Sequence, residues 1–581
     1  MARAKLDALS VFTILFAQCL TLQVAKDVQS HALTSWRILP TLALALAIVR
    51  AHLAPTSDHA LVALAASGAV VLCVNGSQSN HVLLELAIAA AVLLCAPASL
   101  PVSLSSSPRT TREMFRRAFA SRVSLSMRVA LGILYLTTGF AKLNDDWHDP
   151  SVSCCVQMLV GALAGLGLSP SAVAAAAPAP LRAAAPYAAT AFELGFPVVL
   201  VLARATRTVT PIRILAISGA IFHVFIALPP PPMSVYPFSM IMAPMYAAGL
   251  LPEETAAAAR RVAAWPDEVK IAATTAAVAA LALAYQAHAS SNLFEYPNYF
   301  AWEIGASWVV VVFAALAAVA ASPPDNPDPD DDDAAPASAP GRSDRSDTPR
   351  ARRPPRRAAE KLHIPALLPG AFLLAVSAST YLGARTYPSF AMFSNLRMEG
   401  GSSNHWVVRA PGFFPGSRVD VPPEEYYGAH VGIEIGETDL ASLRDMQVNL
   451  APLFPSRVKE ALRETGATAE FHIAPPSWGY PPTEETSGKA RGKGTAPRGF
   501  SVPLVEVRRR ISAAMREGKD FTLRYRWVRG GETEAKTREF RARGGELVKG
   551  SDPALAAPLP PWRAVLHRFR TFHLEYSPCR H

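Results

Sequence analysis

Long apolar runs recur along this chain and limit what it can fold into. Segments of roughly 17 to 24 residues, mostly apolar, match the length a helix needs to cross a bilayer. Backbone groups in hydrocarbon need internal partners, so these runs are read as helices; barrel-like alternation is absent from them. Only 18% of the 581 residues are charged, and half are hydrophobic. A soluble chain of this length would carry more charge and shorter apolar runs.

The runs are Ala8–Ala25, Ile38–Ala54, Ala60–Val74, Val82–Pro97, Ser124–Ala141, Ala183–Ala203, Ile212–Leu228, Val235–Leu251, Val269–His288, Phe300–Ala321 and Ile364–Ala384. The third and fourth carry the weakest signal. Arg128, near the start of the fifth, is expected to snorkel towards the nearer face. Cys154–Leu168 is apolar but short, which suits a re-entrant or interfacial element. No small-residue cleavage site follows the run after Met1–Lys5, so that run is read as a first membrane helix.

From about Thr386 the composition turns soluble. Asp520–Val528 alternates as a strand does, His430–Ile435 is a second strand candidate, and Val502–Arg516 and Pro455–Glu464 read as helices. Ser487–Arg498, rich in glycine and lysine, reads as a loop. The expected fold is an all-α polytopic membrane helix bundle of about 11 spans with a small soluble α+β C-terminal domain. Its parts are a multi-span membrane domain (1–321), a charged linker (322–361), a final membrane helix (362–385) and the soluble domain (386–581). The linker passes from the acidic Asp325–Asp333 to the basic Arg350–Arg357, a composition that predicts disorder.

The net charge of +10 does not point to nucleic acid. Basic residues cluster at Arg109–Arg122, Arg204–Arg213, Arg260–Lys270 and Arg350–Lys361, where they orient membrane helices. With eleven spans and an inside N-terminus, all four clusters fall on the cytoplasmic side or its equivalent. Lys142, the sequon Asn75-Gly76-Ser77 and the C-terminal domain then fall on the other side, where Asn75 can be glycosylated. Endoplasmic reticulum, plastid and plasma membrane are not distinguished. Of the six cysteines, none pairs at zinc spacing. Adjacent Cys154 and Cys155 are poorly placed to bond to each other, and either can pair elsewhere in an oxidising compartment.

Four polar constellations stand out. Lys142 closes the fifth run and is followed by Asn144, Asp145, Asp146 and Trp147. One reading is a snorkelling lysine with Trp147 as a belt aromatic and two loop aspartates. The other is a lysine shielded from water, whose charge is then disfavoured, acting as a base. His223 lies in the middle of a span, where an ionisable group is by default a functional candidate, or bonds a neighbouring helix. Glu193 lies in an apolar run and requires a cation or a proton, with Lys142 or His223 as partner. Finally, Tyr387–His405, including Asn395, Arg397, Asn404 and His405, mixes aromatics with polar groups after the last run. It reads either as an interfacial connector or as a lid over a cavity.

Thr138-Gly139-Phe140-Ala141-Lys142-Leu143-Asn144-Asp145-Asp146-Trp147 resembles the segment of vitamin K-dependent γ-glutamyl carboxylases that carries their catalytic lysine. Phe222-His223 with Tyr236-Pro-Phe-Ser-Met240 resembles a later His-containing span of that superfamily. Together they resemble the horizontally transferred transmembrane (HTTM) domain over about Ala8–His405. The resemblance implies Lys142 as the base that deprotonates a reduced, vitamin K-like quinone. It implies His223 in a shared membrane-embedded site, with Glu193 in support. Membrane lipids and a small amphipathic or peptide substrate are the implied partners. Two departures stand beside this. Asn144 replaces an acidic residue of the lysine motif, and Thr386–His581 does not resemble the carboxylase luminal portion. A non-enzymatic transporter or lipid-binding scaffold is the competing expectation. A haem protein fits less well, since no two histidines are placed as paired ligands.

Overall fold

The computed structural model describes residues 7–29, 38–74, 79–98, 108–206, 208–266, 268–269, 298–322, 363–386, 389–391, 393–409, 430–444, 446, 448–449, 451–473, 500–559, 569–574, 577 and 579–580. Asn75 and the loop Ser487–Arg498 lie outside these residues, as do the run Val269–His288 and the linker 322–361 beyond their first residues.

The apolar runs are helices, and six are long and apolar enough to cross a membrane. They are α4 (Asn80–Ala98), α5 (Pro108–Ala141), α9 (Ala179–Thr206), α10 (Thr210–Ala227), α13 (Asn298–Ala321) and α14 (Ile364–Tyr381). Helix α5 is 34 residues long, roughly 50 Å, so its basic first turns extend past the hydrocarbon. The first three runs form α1 (Ala8–Gln29), α2 (Ile38–Leu53) and α3 (Asp58–Val74), whose apolar stretches are shorter. The eighth run is split into α11 (Tyr236–Met245) and a π-helical turn, Tyr246–Leu250, buried throughout. Six of the expected crossings therefore have full length among the described residues.

Aromatic rings fill the bundle centre: Phe12, Phe16, Phe119, Phe196, Tyr246 and Phe313 are all fully buried. At the end carrying the first turns of α5, Arg116 ties three elements by bonding Asp7, Asp58 and the Thr56 carbonyl. Arg213 pairs with Glu254 of α12 (Pro252–Ala263) near the end of α13. Arg128 is half-buried, and its Nε donates to the Gly249 carbonyl at 2.5 Å, in the π-helical turn that ends the eighth run.

At the opposite end, α5 is followed by α6 (Asp145–His148), α7 (Cys154–Gly165) and α8 (Pro170–Ala176). Helix α7, the short apolar segment, is nearly all buried and does not span. It packs on α16 (Ser456–Thr465) of the C-terminal part, whose Val458, Ala461 and Leu462 share a core with Val156 and Val160 of α7 and Val173 of α8. A small sheet pairs β2 (Val448–Asn449) with β3 (Phe471–Ile473), and β3 runs parallel to β9 (Cys579–Arg580). Cys154 and Cys579 form a disulfide across a sequence separation of 425.

The remaining C-terminal residues build an antiparallel sheet in the order β4-β1-β5-β7-β8. Its strands are β1 (Gly432–Thr438), β4 (Ser501–Pro503), β5 (Phe521–Arg529), β7 (Arg538–Arg543) and β8 (Glu546–Leu547), with β6 (Glu532–Thr533) paired to β5 off this path and the short helix α15 (Ala441–Arg444) following β1. The strands expected at His430–Ile435 and Asp520–Val528 pair directly, with Ile433 opposite Trp527. Their inward residues Ile433, Ile435, Leu523, Tyr525 and Trp527 pack with Val507 and Ile511 of α17 (Leu504–Arg516). The outward arginines Arg524 and Arg526 pair across the sheet with Glu437 and Glu434.

Candidate functional site

A cavity of about 630 Å³ lies among α5, α7, α9, α10, α11 and the strap of residues 389–409. Its walls are mainly apolar and aromatic, including Phe192, Phe222, Phe225, Phe238, Phe390 and Phe393. Lys142, Glu193, Thr138 and Tyr135 supply convergent polar groups. A mostly apolar cavity with a few converging polar atoms is the usual form of a small-molecule site.

Lys142 is only 7% exposed, so it is not an anchor at the lipid surface. Its Nζ donates to Glu193 Oε2 at 2.5 Å and reaches the Thr138 carbonyl at 3.5 Å. It also lies 5.1 Å from the centre of the Trp147 ring. The ammonium's three donors thus have a carboxylate, a carbonyl and a π-face around them. Glu193, itself 4% exposed, takes Lys142 rather than His223 as its partner.

A glycine makes this pairing fit. A Cβ on Gly139 would stand 2.9 Å from Glu193 Cβ and 3.0 Å from the Leu194 nitrogen. Helices α5 and α9 therefore touch backbone to backbone one turn before Lys142. Trp147 is buried rather than a belt aromatic, with its Nε1 donating to Thr190 Oγ1 at 3.0 Å and to the Pro186 carbonyl at 3.2 Å.

His223 does not line the cavity; it sits one layer behind it. Tyr135 is the residue between, and sequence reasoning missed it. Tyr135, Thr138 and Lys142 follow the i, i+3, i+7 spacing of one helix face. That spacing was the available signal, but a tyrosine in an apolar run reads as core. The Tyr135 hydroxyl is 2.7 Å from both His223 Nε2 and the Tyr246 hydroxyl. His223 Nδ1 faces Ser239 Oγ at 3.4 Å, and Ser239 donates to the His223 carbonyl at 3.1 Å. One assignment satisfies every contact: Tyr246 donates to Tyr135, Tyr135 to a neutral His223, and His223 to Ser239. Gly219 makes room for this chain, since a Cβ there would lie 1.9 Å from the Tyr246 hydroxyl oxygen.

The strap is a fastened wall of the cavity. Three non-glycine residues, Phe390, Phe393 and Asn395, have φ of 55°, 55° and 52°. This left-handed backbone is costly for phenylalanine and persists only where surrounding structure fixes it. Four asparagines supply that fixing. Asn80 Oδ1 accepts from the Phe390 nitrogen at 2.9 Å, and Asn144 donates to the Ser394 carbonyl at 2.7 Å. Asn395 accepts from the Cys154 nitrogen at 2.9 Å and donates to the Ser577 carbonyl at 2.8 Å. Asn404 donates to the Asn395 carbonyl at 2.8 Å and to Asp146 Oδ2 at 2.6 Å.

The other expected polar residues belong to this fastening and not to the cavity lining. Asp145 accepts from Trp406 Nε1 at 2.8 Å. Asp146 also accepts from the Ser577 nitrogen at 3.0 Å. Arg397 donates to the His573 and Leu574 carbonyls. His405 Nε2 donates to the Phe140 carbonyl at 2.8 Å, while its Nδ1 accepts from the nitrogens of Val407 and Val408. Burial lowers the pKa of His405 and favours this neutral form. The carboxylate beside Lys142 is therefore Glu193, not the sequence-adjacent aspartates.

Among the described residues, no group of three His, Cys, Asp or Glu side chains is placed to hold a metal ion. No family model matches the chain, and no curated protein or solved structure matches it.

Proposed function

We propose that this is a multi-pass membrane protein related to the vitamin K-dependent carboxylases through an HTTM-like domain, and that its cavity binds a reduced quinone. The observation that carries this reading is the water-shielded Lys142–Glu193 pair on the wall of a largely aromatic cavity. A planar ring fits against Phe192, Phe222 and Phe238, and its hydroxyl meets the pair.

The pair takes the hydroxyl proton as a unit. From an ion pair, the carboxylate of Glu193 receives it and the Lys142 ammonium holds the oxyanion. From a neutral pair, the Lys142 amine receives it. Both routes end with protonated Lys142 and protonated Glu193 beside a quinolate, which gives its two electrons to dioxygen more readily than the neutral quinol does. The Tyr135–His223 chain holds the Tyr135 hydroxyl in place at the cavity wall.

The finer parts of the reading belong together. About 11 spans put the basic clusters on the cytoplasmic side, and Lys142 and the C-terminal domain opposite. The Cys154–Cys579 disulfide accords with an oxidising compartment on that side. A transporter needs a polar path onward to the other face. Beyond Tyr135 the chain meets Phe196, Tyr246 and Phe313 packed ring on ring, which favours a closed site. The test is dioxygen-dependent oxidation of a reduced naphthoquinone, with the full chain in membranes as catalyst. Lys142→Ala is expected to abolish it in the fraction that folds, since losing one member of the buried pair also costs stability. Wild-type activity in that variant would sink the assignment.

A further inference from the structure

The cavity reaches the outer surface of the bundle on one side. Leu181 and Ala188 of α9 and Ile221 of α10 line it, yet all three are exposed, Ile221 by 66% and Leu181 by 45%. Both helices are long and apolar enough to cross a membrane, and in a bilayer the exposed Ala188 and Ile221 would turn towards acyl chains. Pro186, which has no N–H to bond the Arg182 carbonyl, weakens the helix ladder within the α9 half of this opening. The Pro186 carbonyl is held by Trp147 and Thr190, on the cavity side.

The opposite route is fastened. Between the cavity and the C-terminal domain lies the strap, tied down by Asn80, Asn144, Asn395 and Asn404. The Cys154–Cys579 disulfide secures the element beneath it. A ligand arriving from water on that side would have to break several buried hydrogen bonds. A ligand arriving from lipid crosses only apolar side chains.

We infer that the cavity is filled sideways from the bilayer, through a portal between α9 and α10 at Leu181, Ala188 and Ile221, by a tailed lipid. Its polar head meets Lys142–Glu193 and its tail trails out past Ile221. This rests on the proposed binding site, but not on its chemistry. A volume of about 630 Å³ suits a ring head with the first part of a tail, and leaves the rest in the membrane.

The test uses the full chain in phosphatidylcholine nanodiscs with three probes: a prenyl-tailed naphthoquinone bearing a diazirine on its tail, 2-methylnaphthoquinone without a tail, and a diazirine-tailed fatty alcohol. Photolysis is expected to label peptides holding Leu181–Ala189 and Ile221–Phe225 with both tailed probes. Ile221→Trp, which fills the portal, is expected to cut that labelling about tenfold and to slow entry of the tail-less quinone as well, since both use the same opening. Val201→Trp, on the lipid face of α9 outside the cavity, is the control and changes neither. Labelling on the strap instead, or equal effects of the two tryptophans, overturns the portal. If neither quinone binds while the fatty alcohol labels both portal peptides, the portal stands and the quinone reading fails.

Discussion

Lys142 Nζ lies 2.5 Å from Glu193 Oε2, across the seam between α5 and α9. Neither group is supplied by a loop near the other; 51 residues separate them. The contact exists because Gly139 lets the two backbones meet. A charge pair in such a place is costly to desolvate and stands only while both members are present.

Removing one member therefore costs more than removing both. Glu193→Leu alone strands the Lys142 ammonium and is expected to destabilise the protein by about 3 to 5 kcal/mol. Adding Lys142→Met is expected to restore most of that stability without restoring function. Unfolding of the two single variants and the double variant in detergent measures the coupling directly.

Gly139→Ala keeps both charges and moves the helices. Its Cβ needs space now held by Glu193 Cβ and Leu194. We expect a loss on the order of 1 to 3 kcal/mol from overpacking. Quinol turnover is expected to fall further than in a lipid-facing control such as Val201→Ala.

Gly219→Ala acts on the buried chain. It pushes the Tyr246 ring away and breaks the 2.7 Å contact with Tyr135. Tyr135→Phe removes the same contact, from its other side, without steric cost. Both are expected to leave quinol binding intact and slow its oxidation. Equal losses of binding and rate would assign Tyr135 a packing role.

Much of this is legible in the sequence. The charges Lys142, Glu193 and His223 were visible because each interrupts or closes an apolar run, where a polar atom must find a partner. Which partner depends on how helices pair, and composition carries no record of that. Lys142 and Glu193 meet because a glycine permits contact; His223, one layer back, instead points at a tyrosine on the cavity wall. Asp145 and Asp146 looked like neighbours of Lys142 in sequence, but α6 turns them towards the strap. The disulfide joins residues so distant that no spacing rule reaches it. The eighth run read as one span, yet a π-helical turn beginning at Tyr246 divides it.

The C-terminal domain is expected to lose stability in acid. His430 is buried, its Nε2 has no hydrogen-bond partner, and burial pushes its pKa down to about 4. The unfolded chain binds the proton near pH 6.5 and the folded one does not. Stability is thus full above about pH 6.5 and falls as the pH drops towards 4, by about 3 kcal/mol for this group. His148 and His405, also lowered by burial, act in the same direction. Unfolding of the full chain between pH 7 and pH 4 tests this, with His430→Leu expected to flatten the slope.

Non-reducing proteolysis is expected to release one peptide pair joined through Cys154 and Cys579. Cys579→Ser is expected to cost about 2 to 5 kcal/mol. It also frees the segment that bonds Asn395 and Asp146 through Ser577, so protease sensitivity at the strap is expected to rise.

The most direct test of the central claim is the ultraviolet spectrum of a reduced naphthoquinone bound anaerobically to the full chain near neutral pH. Proton uptake by Lys142–Glu193 predicts a quinolate spectrum in the wild type. It also predicts a neutral quinol spectrum in Lys142→Met and Glu193→Gln variants that still bind. A neutral quinol in the wild type, or an undiminished quinolate in both variants, would contradict it.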